Sequence, residues 1–165
     1  MEAAQRIRTV MDMPAHARAW VYKAPRDLGQ AERKLVRERG AAFTATWASH
    51  GEPLDGCVDV LHDRFVVVAV DEGQVQAGGC SIDRSVGFIK QLEQDLNLML
   101  TDRMVVVLER DGKVQSVRLQ ELPALLAEGL IGLDTMVYDD LVSTVGDLRE
   151  RFRVRLADSW MRRFL

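Results

Sequence analysis

The sequence predicts an α+β protein in which a ferredoxin-like split βαβ antiparallel sheet carries two helices on one face, followed by a small α/β C-terminal extension. Two stretches have the apolar spacing of helices, four apolar β-favouring runs lie around them, and two polar turns join neighbouring runs into hairpins. The order is strand, helix, strand, strand, helix, strand, which is that of the ferredoxin-like fold. We divide the chain into an N-terminal arm (1–16), a ferredoxin-like domain (17–118) and a C-terminal extension packed on it (119–165).

The first half of the predicted sheet comes from three β-favouring runs around one amphipathic stretch. A strand is expected at Ala17–Lys23, and the first helix follows at Gln30–Ser49. Leu54–Leu61 and Phe65–Val70 form a hairpin, because the turn between them is short and polar. Its second arm, FVVVAV, has no polar alternation, so we expect a central strand covered on both faces.

The second half supplies another helix and another hairpin. The helix is predicted at Ser81–Leu96, and the strand Met104–Leu108 turns through Asp-Gly into the polar arm Glu109–Val117. The extension is shorter in its elements: a helix at Gln120–Glu128, a strand at Asp134–Tyr138, helical turns at Val145–Arg151 and a closing helix at Asp158–Leu165.

Composition is that of one globular domain, with 165 residues of which 47% are apolar and 28% charged. The net charge of -3 opposes binding to nucleic acid and to anionic membranes. The longest apolar run, Phe65–Val70, is far shorter than the ~20 residues of a membrane-spanning helix, and the N-terminus lacks a signal peptide's apolar core. We therefore expect a cytoplasmic protein in which Cys57 and Cys80 are free thiols.

The predicted site lies within Asp71–Leu96, where the central strand runs through a glycine-rich turn into the second helix. Gly78 and Gly79 can expose backbone amides to an anion such as phosphate, and Ser81 adds a hydroxyl. The same two glycines also permit a tight entry into the helix with no ligand at all.

Carboxylates flank this turn. Asp71 and Glu72 end the strand and Asp83 begins the helix, so the three can supply oxygen ligands to a divalent cation or an acid–base pair. The alternative is that the first two shape the turn while Asp83 complements the helix dipole. The complete predicted ligand-binding set is Asp71, Glu72, Gly78, Gly79, Cys80 and Ser81.

Cys80 is the leading catalytic candidate, because a thiol at a helix N-terminus lies near unpaired amides that lower its pKa. Its alternative is a small buried residue at the junction of strand and helix. Asp83 and His62 are the other catalytic candidates, although nothing in the sequence fixes His62 near the thiol. We predict no metal site and no cofactor, since His50 and His62 with Cys57 between them match no zinc spacing.

The C-terminus combines aromatic and basic residues in DSWMRRF. Trp160, Arg162, Arg163 and Phe164 can form a basic-aromatic contact surface. Alternatively, Trp160 and Phe164 are four residues apart and form the buried stripe of one helix.

Four segments, HDRF at 62–65, VDEGQ at 70–74, GCSID at 79–83 and DSWMRRF at 158–164, resemble a family of short uncharacterised bacterial proteins that are often labelled ABC-transporter ATPases. The resemblance spans residues 17–165 and implies no established activity. The residues do not support the label, because no glycine turn is followed by Lys-Ser or Lys-Thr as a phosphate-binding loop requires, and the LSGGQ signature is absent.

A second resemblance lies in the extension. LQELPALLAEGLIGLDTMVYDD at 119–140 is similar to the helix, glycine and strand of GYF-like domains, although the Gly-Tyr-Phe triplet is missing. Those domains are interaction modules, so the resemblance implies a protein partner.

No complete catalytic constellation is visible, so a non-catalytic binding or protein-interaction module is our first functional hypothesis. Fold analogy supports it, because this fold commonly presents a sheet face or edge to a partner. The expected partner is another protein or a second copy of the chain, with a small anionic ligand as a further option. The alternative is a ligand-binding or anion-binding enzyme, or a thiol sensor, that uses Cys80.

Overall fold

The computed structural model describes residues 8–165 and has a mixed α/β fold with antiparallel sheets, which confirms the predicted class. No helix among these residues is long and apolar enough to cross a membrane. The strands are β1 (Arg18–Lys23), β2 (Ala48–Ser49), β3 (Glu52–Pro53), β4 (Asp55–Leu61), β5 (Phe65–Asp71), β6 (Val105–Arg110), β7 (Lys113–Arg118), β8 (Met136–Tyr138) and β9 (Arg153–Arg155). The α-helices are α1 (Gln30–Ala45), α2 (Gly79–Leu96), α3 (Leu122–Ala127) and α4 (Val145–Glu150), and 3-10 helices cover Val10–Asp12, Leu119–Glu121, Leu156–Asp158 and Trp160–Phe164.

β5 is the centre of the first sheet, whose order is β1-β5-β4 with antiparallel neighbours. Alternate side chains of β5 point to opposite faces of the sheet and pack into two different hydrophobic cores. Val66, Val68 and Val70 pack with residues of α1 and α2, and the opposite face packs with residues of the C-terminal extension. Both faces of the strand are therefore covered, as the absence of polar alternation in FVVVAV predicts.

Helix α1 lies very close to β4. A Cβ atom on Gly40 would lie 2.5 Å from the Cβ of Val58, so only glycine permits this approach without a shift. The glycine that weakens the helix in isolation thus allows it to pack on the sheet.

The second sheet has the order β7-β6-β8-β9, with antiparallel neighbours throughout. The hairpin of β6 and β7 is the one that the sequence predicts, while β8 and β9 come from residues 119–165. These strands and the 3-10 helices near the C-terminus enclose a third core around Leu108, Leu122 and Leu156. The extension is therefore joined to β6 by backbone hydrogen bonds as well as by apolar contacts.

The predicted ferredoxin-like arrangement as a whole is not confirmed. Three strands have the expected relation, because β1 and β4 are parallel, are connected through α1 and flank β5. The fourth strand differs: β6 pairs with β7 on one edge and with β8, through Leu108 and Val137, on the other. Since both edges of β6 have partners, it does not extend the first sheet beside β1.

Several element boundaries also differ from the prediction. The first helix ends at Ala45 instead of Ser49, because the chain then turns so that the buried Trp47 indole donates a hydrogen bond to the Ser81 carbonyl at 2.9 Å. A small hairpin of β2 and β3 follows. The second helix begins two residues early, at Gly79, the predicted closing helix is two 3-10 segments, and β9 has no counterpart among the predicted strands.

The predicted N-terminal arm, 1–16, is only partly described, since residues 1–7 lie outside the described residues. The remainder is packed against the fold: Val10 and Met13 are buried in the core that contains Phe65. The Val10 amide donates to the buried Asp59 carboxylate at 3.1 Å. Arg149 donates to the carbonyl oxygens of Met11 and Met13, so side chains from the far end of the chain hold this segment.

Candidate functional site

The turn before α2, residues 71–83 and here called the α2 turn, contains most of the predicted site. Its carboxylates shape the loop. Asp71 Oδ1 accepts hydrogen bonds from the Gly73 amide at 2.9 Å and from His16 Nε2 at 3.0 Å, and these contacts lower the pKa of Asp71. Glu72 Oε2 accepts from the Ala77 amide at 2.9 Å. The turn explanation of these two carboxylates therefore matches the structure.

The glycines and the serine of the α2 turn build the start of the helix. Gly78 is the N-cap residue, and its carbonyl accepts the Ile82 amide at 3.0 Å. Ser81 is buried, and its hydroxyl donates to the Ala48 carbonyl at 2.8 Å. Gly79 and Asp83 are exposed. The hydroxyl predicted to bind an anion is thus turned inward to hold α2 against β2.

Cys80 is an exposed free thiol in the first turn of α2, so the buried-residue alternative for this cysteine is wrong. Besides His16, which is bonded to Asp71, a second histidine, His50, lies near this turn. A Cβ on Gly78 would lie 3.9 Å from His50 Nε2 and 3.5 Å from Ser49 Oγ. Cys57 is also free but buried, and burial raises the pKa of its thiol to about 11.

His62 lies at the other end of β5. It occupies the turn between β4 and β5 with a positive φ of 49°, and its ring lies 4.9 Å from that of Tyr138 and 5.9 Å from that of Phe152. Burial lowers the pKa of its imidazole. The seven residues of β5 span roughly 20 Å between His62 and the α2 turn. The structure does not bring His62 and Cys80 together.

A more prominent concavity lies along the outer edge of β1 and is called the β1 groove. Its volume is about 1080 Å³, slightly above the ~300–1,000 Å³ of ordinary ligand pockets. The lining comes from four regions: residues 18–23 of β1, Val86 and Lys90 of α2, the loop 100–104 before β6, and the C-terminal residues 119–120, 140–143, Trp160 and Phe164.

The edge of β1 is paired only at its start. The Ala19 amide donates to the Ser143 carbonyl at 2.9 Å, and the Val145 amide donates to the Ala17 carbonyl at 2.9 Å. Backbone groups alternate in direction along an antiparallel strand, so those of Val21 and Lys23 also point away from β5. Neither amide has a hydrogen-bond acceptor among residues 8–165. The outward backbone groups of Val21 and Lys23 are therefore unpaired in this part of the chain, although Lys23 itself is only 6% exposed.

A buried ion pair lies in the wall of the groove. Lys23 Nζ is 2.8 Å from Asp140 Oδ2, and the two side chains are only 5% and 12% exposed. The Trp160 indole donates to the second oxygen of Asp140 at 3.0 Å. These bonds hold the C-terminal segment against β1, and they leave the Asp140 carboxylate engaged on both oxygens.

The other groove charges are mostly positive. Arg18, Lys90 and Arg103 line the groove, and Arg18 lies over the Trp20 ring at 4.8 Å with a loose 3.7 Å contact to Glu72. The second groove carboxylate, Asp102, is bonded to Arg118 at 2.6 Å. The charge available to a ligand is thus positive, although the whole chain carries -3.

The rim of the groove is apolar. Met104, Leu141 and Phe164 are 40%, 65% and 50% exposed, and all three line it. Phe164 contacts Trp160 edge to face with ring centroids 5.8 Å apart. The buried-stripe interpretation of DSWMRRF is therefore wrong, because Phe164 is half exposed; the two aromatic residues contact each other and line an accessible groove. Clustered exposed apolar side chains of this kind mark interaction sites.

No protein-family model, curated protein or solved structure matches this chain. Among residues 8–165 there is also no group of three His, Cys, Asp or Glu side chains that could hold a metal ion. Sequence reasoning missed the β1 edge, Lys23 and Asp140, and the only sequence signal toward the groove is the aromatic pair at the C-terminus.

Proposed function

We propose that this chain is a non-catalytic protein-interaction module that binds an extended segment of a partner protein along the free edge of β1. The observation that carries the proposal is the run of unpaired backbone groups of Val21 and Lys23 inside the β1 groove. A peptide that adds as a strand supplies the missing donors and acceptors through its own main chain. Such pairing requires no particular side chain, so it fits a surface without a catalytic constellation.

The length of the free edge and the apolar rim of the groove are both compatible with binding of a partner strand. The unpaired part of the edge, from Val21 to Lys23, spans about 7 Å, which corresponds to about three residues of a partner strand. Met104, Leu141 and Phe164 stand beside that path and offer apolar contacts to its side chains. Backbone bonds then supply general affinity, while the walls select among sequences.

Selection from an immobilised library of random seven-residue peptides, followed by titration of the selected peptides, tests the proposal. We expect saturable binding together with slower hydrogen exchange at the Val21 and Lys23 amides in the complex. Val21→Pro removes an outward N–H at an edge position where proline is tolerated, and it should abolish binding. Val21→Thr keeps the N–H and is the matched control.

The proposal fails if the library yields no saturable binder. It also fails if Val21→Pro and Val21→Thr bind equally well, or if binding leaves the exchange of both amides unchanged. Dimerisation through β1 predicts a different result, because protection of these amides would then rise with protein concentration in the absence of peptide. Sedimentation equilibrium separates the two.

A second candidate function is a thiol sensor or an anion-binding site at Cys80. It is favoured by the exposure of this thiol in the first turn of α2, whose N-cap residue, Gly78, lies close to Ser49 and His50. Alkylation rates measured against pH report the thiol pKa, with Cys80→Ser as the blank. A pKa near ~6 supports the sensor, and one near ~8.5 contradicts it.

Two finer features belong with these proposals. We infer that β1, α1, β4 and β5 form the split βαβ half of a ferredoxin-like fold. The fourth strand position, beside β1, would be filled by a strand of the partner protein. A free, exposed Cys80 supports a reducing location such as the cytoplasm.

A further inference from the structure

We propose that the segment received by β1 is amphipathic and acidic, with carboxylate side chains facing α2 and apolar side chains facing the C-terminal extension. This inference rests on the proposed function, because it assumes that the occupant is an extended strand. It adds the chemical class of the partner, which the open backbone edge alone does not specify.

The side chains of β1 determine which wall of the groove each residue of an added strand would face. Successive side chains of a strand point to opposite faces, so Arg18, Trp20 and Tyr22 share one face. Trp20 and Tyr22 pack against the core that contains residues of α1 and α2. The opposite face carries Lys23, which is bonded to Asp140 of the C-terminal extension. A strand added to β1 would continue both faces and present its alternate residues to these two walls.

The α2 wall is cationic. Lys90 is exposed and has no ion-pair partner among residues 8–165, and Arg18 has only the loose contact to Glu72. Arg103, at the entrance formed by the loop before β6, is likewise exposed and unpaired in that part of the chain. Three cations without close partners therefore surround the path of the proposed strand. Carboxylates at alternate positions complement this wall, whereas lysine or arginine would be repelled.

Within the described part of the chain, the wall formed by the C-terminal extension offers no unpaired charge. Lys23 and Asp140 neutralise each other, and Trp160 occupies the remaining oxygen of Asp140. Leu141 and Phe164 project beside that pair. Apolar side chains fit this wall, because a charged residue here would be desolvated without a partner.

Fluorescence anisotropy with three defined peptides tests the inference. Each has about eight residues, a common strand length, and alternates valine with glutamate, glutamine or lysine. We expect the glutamate peptide to bind about tenfold more tightly than the glutamine peptide at low salt, and the lysine peptide to bind most weakly. The preference for glutamate should shrink as salt is raised, since these charges are accessible to solvent.

Charge reversal in the protein supplies a matched comparison. Lys90→Glu should weaken binding of the glutamate peptide about five- to tenfold while the glutamine peptide changes little. Lys113→Glu makes the same change of net charge at an exposed position of β7 outside the groove, so it should stay within about twofold.

The outcomes separate the two levels of the proposal. Equal, salt-independent binding of all three peptides with protected Val21 and Lys23 amides overturns the acidic preference and leaves strand pairing intact. Preference for the lysine peptide, or equal effects of Lys90→Glu and Lys113→Glu, also overturns it. If none of the three peptides binds and both amides stay unprotected, strand pairing fails together with the acidic preference.

Discussion

The α2 turn and the β1 groove differ in how their polar groups are used. In the α2 turn, Asp71, Glu72 and Ser81 each bond to a nearby backbone group, so the turn is a finished piece of structure. In the groove, the backbone of Val21 and Lys23 has no such partner among residues 8–165. Polar residues in a suggestive pattern are thus a weaker sign of a binding site than polar groups left unpaired in a concavity.

The largest expected effect is the loss of stability on breaking the buried ion pair between Lys23 and Asp140 in the wall of the groove. Asp140→Ala should lower the free energy of unfolding by about 3–5 kcal/mol, because Lys23 then remains buried without its counter-charge. Denaturant unfolding monitored by circular dichroism measures it. The control is Asp134→Ala, whose carboxylate pairs with Arg155 at the surface and should change stability by less than about 1 kcal/mol. Similar losses for both variants would contradict the distinction.

Amide exchange along β1 should show the next largest effect. In the free protein, the Val21 and Lys23 amides should exchange at least about a hundredfold faster than those of Trp20 and Tyr22, which are bonded to β5. Exchange followed by NMR resolves these four amides individually. Uniform protection along the strand would show that the outer edge is already paired. The unpaired backbone on which the proposed function rests would then be absent.

A smaller difference in stability is expected between alanine variants of the neighbouring residues Ser81 and Cys80. Ser81→Ala should destabilise the protein by about 1–2 kcal/mol, because the Ala48 carbonyl loses a buried donor. Cys80→Ala should lie within about 0.5 kcal/mol of wild type, since the exposed thiol makes no hydrogen bond in the described structure. Chemical denaturation of the two variants gives the comparison. A larger loss at Cys80 than at Ser81 would reverse the roles assigned to them.

Local patterns in the sequence predict most of the elements and few of the relations between them. FVVVAV gives the central strand, because a strand covered on both faces has no reason to alternate. The pairing of β6 with β8 is not predictable in the same way, since β8 and β9 have three residues each and their strand character arises from the neighbours they join.

The same limit applies to the sites. The β1 groove exists because β6 takes its second partner from the extension, which is a choice between distant segments of the chain. The approach of His50 to the α2 turn likewise depends on the early end of α1 and the small hairpin after it. Sequence spacing singled out Cys80 and its exposure is real, but no spacing rule could select between His50 and His62.

Because the edge of β1 lies inside a groove, the walls of the groove limit which polypeptides can reach it. Exposed strand edges invite one folded sheet to join another, and that is the usual route to uncontrolled aggregation. Here the rim of Leu141 and Phe164 stands on one side and Lys90 on the other. A second folded copy would have to insert its own recessed edge between these walls. If β1 binds a strand as proposed, the walls of the groove should admit single flexible chains and exclude folded sheets.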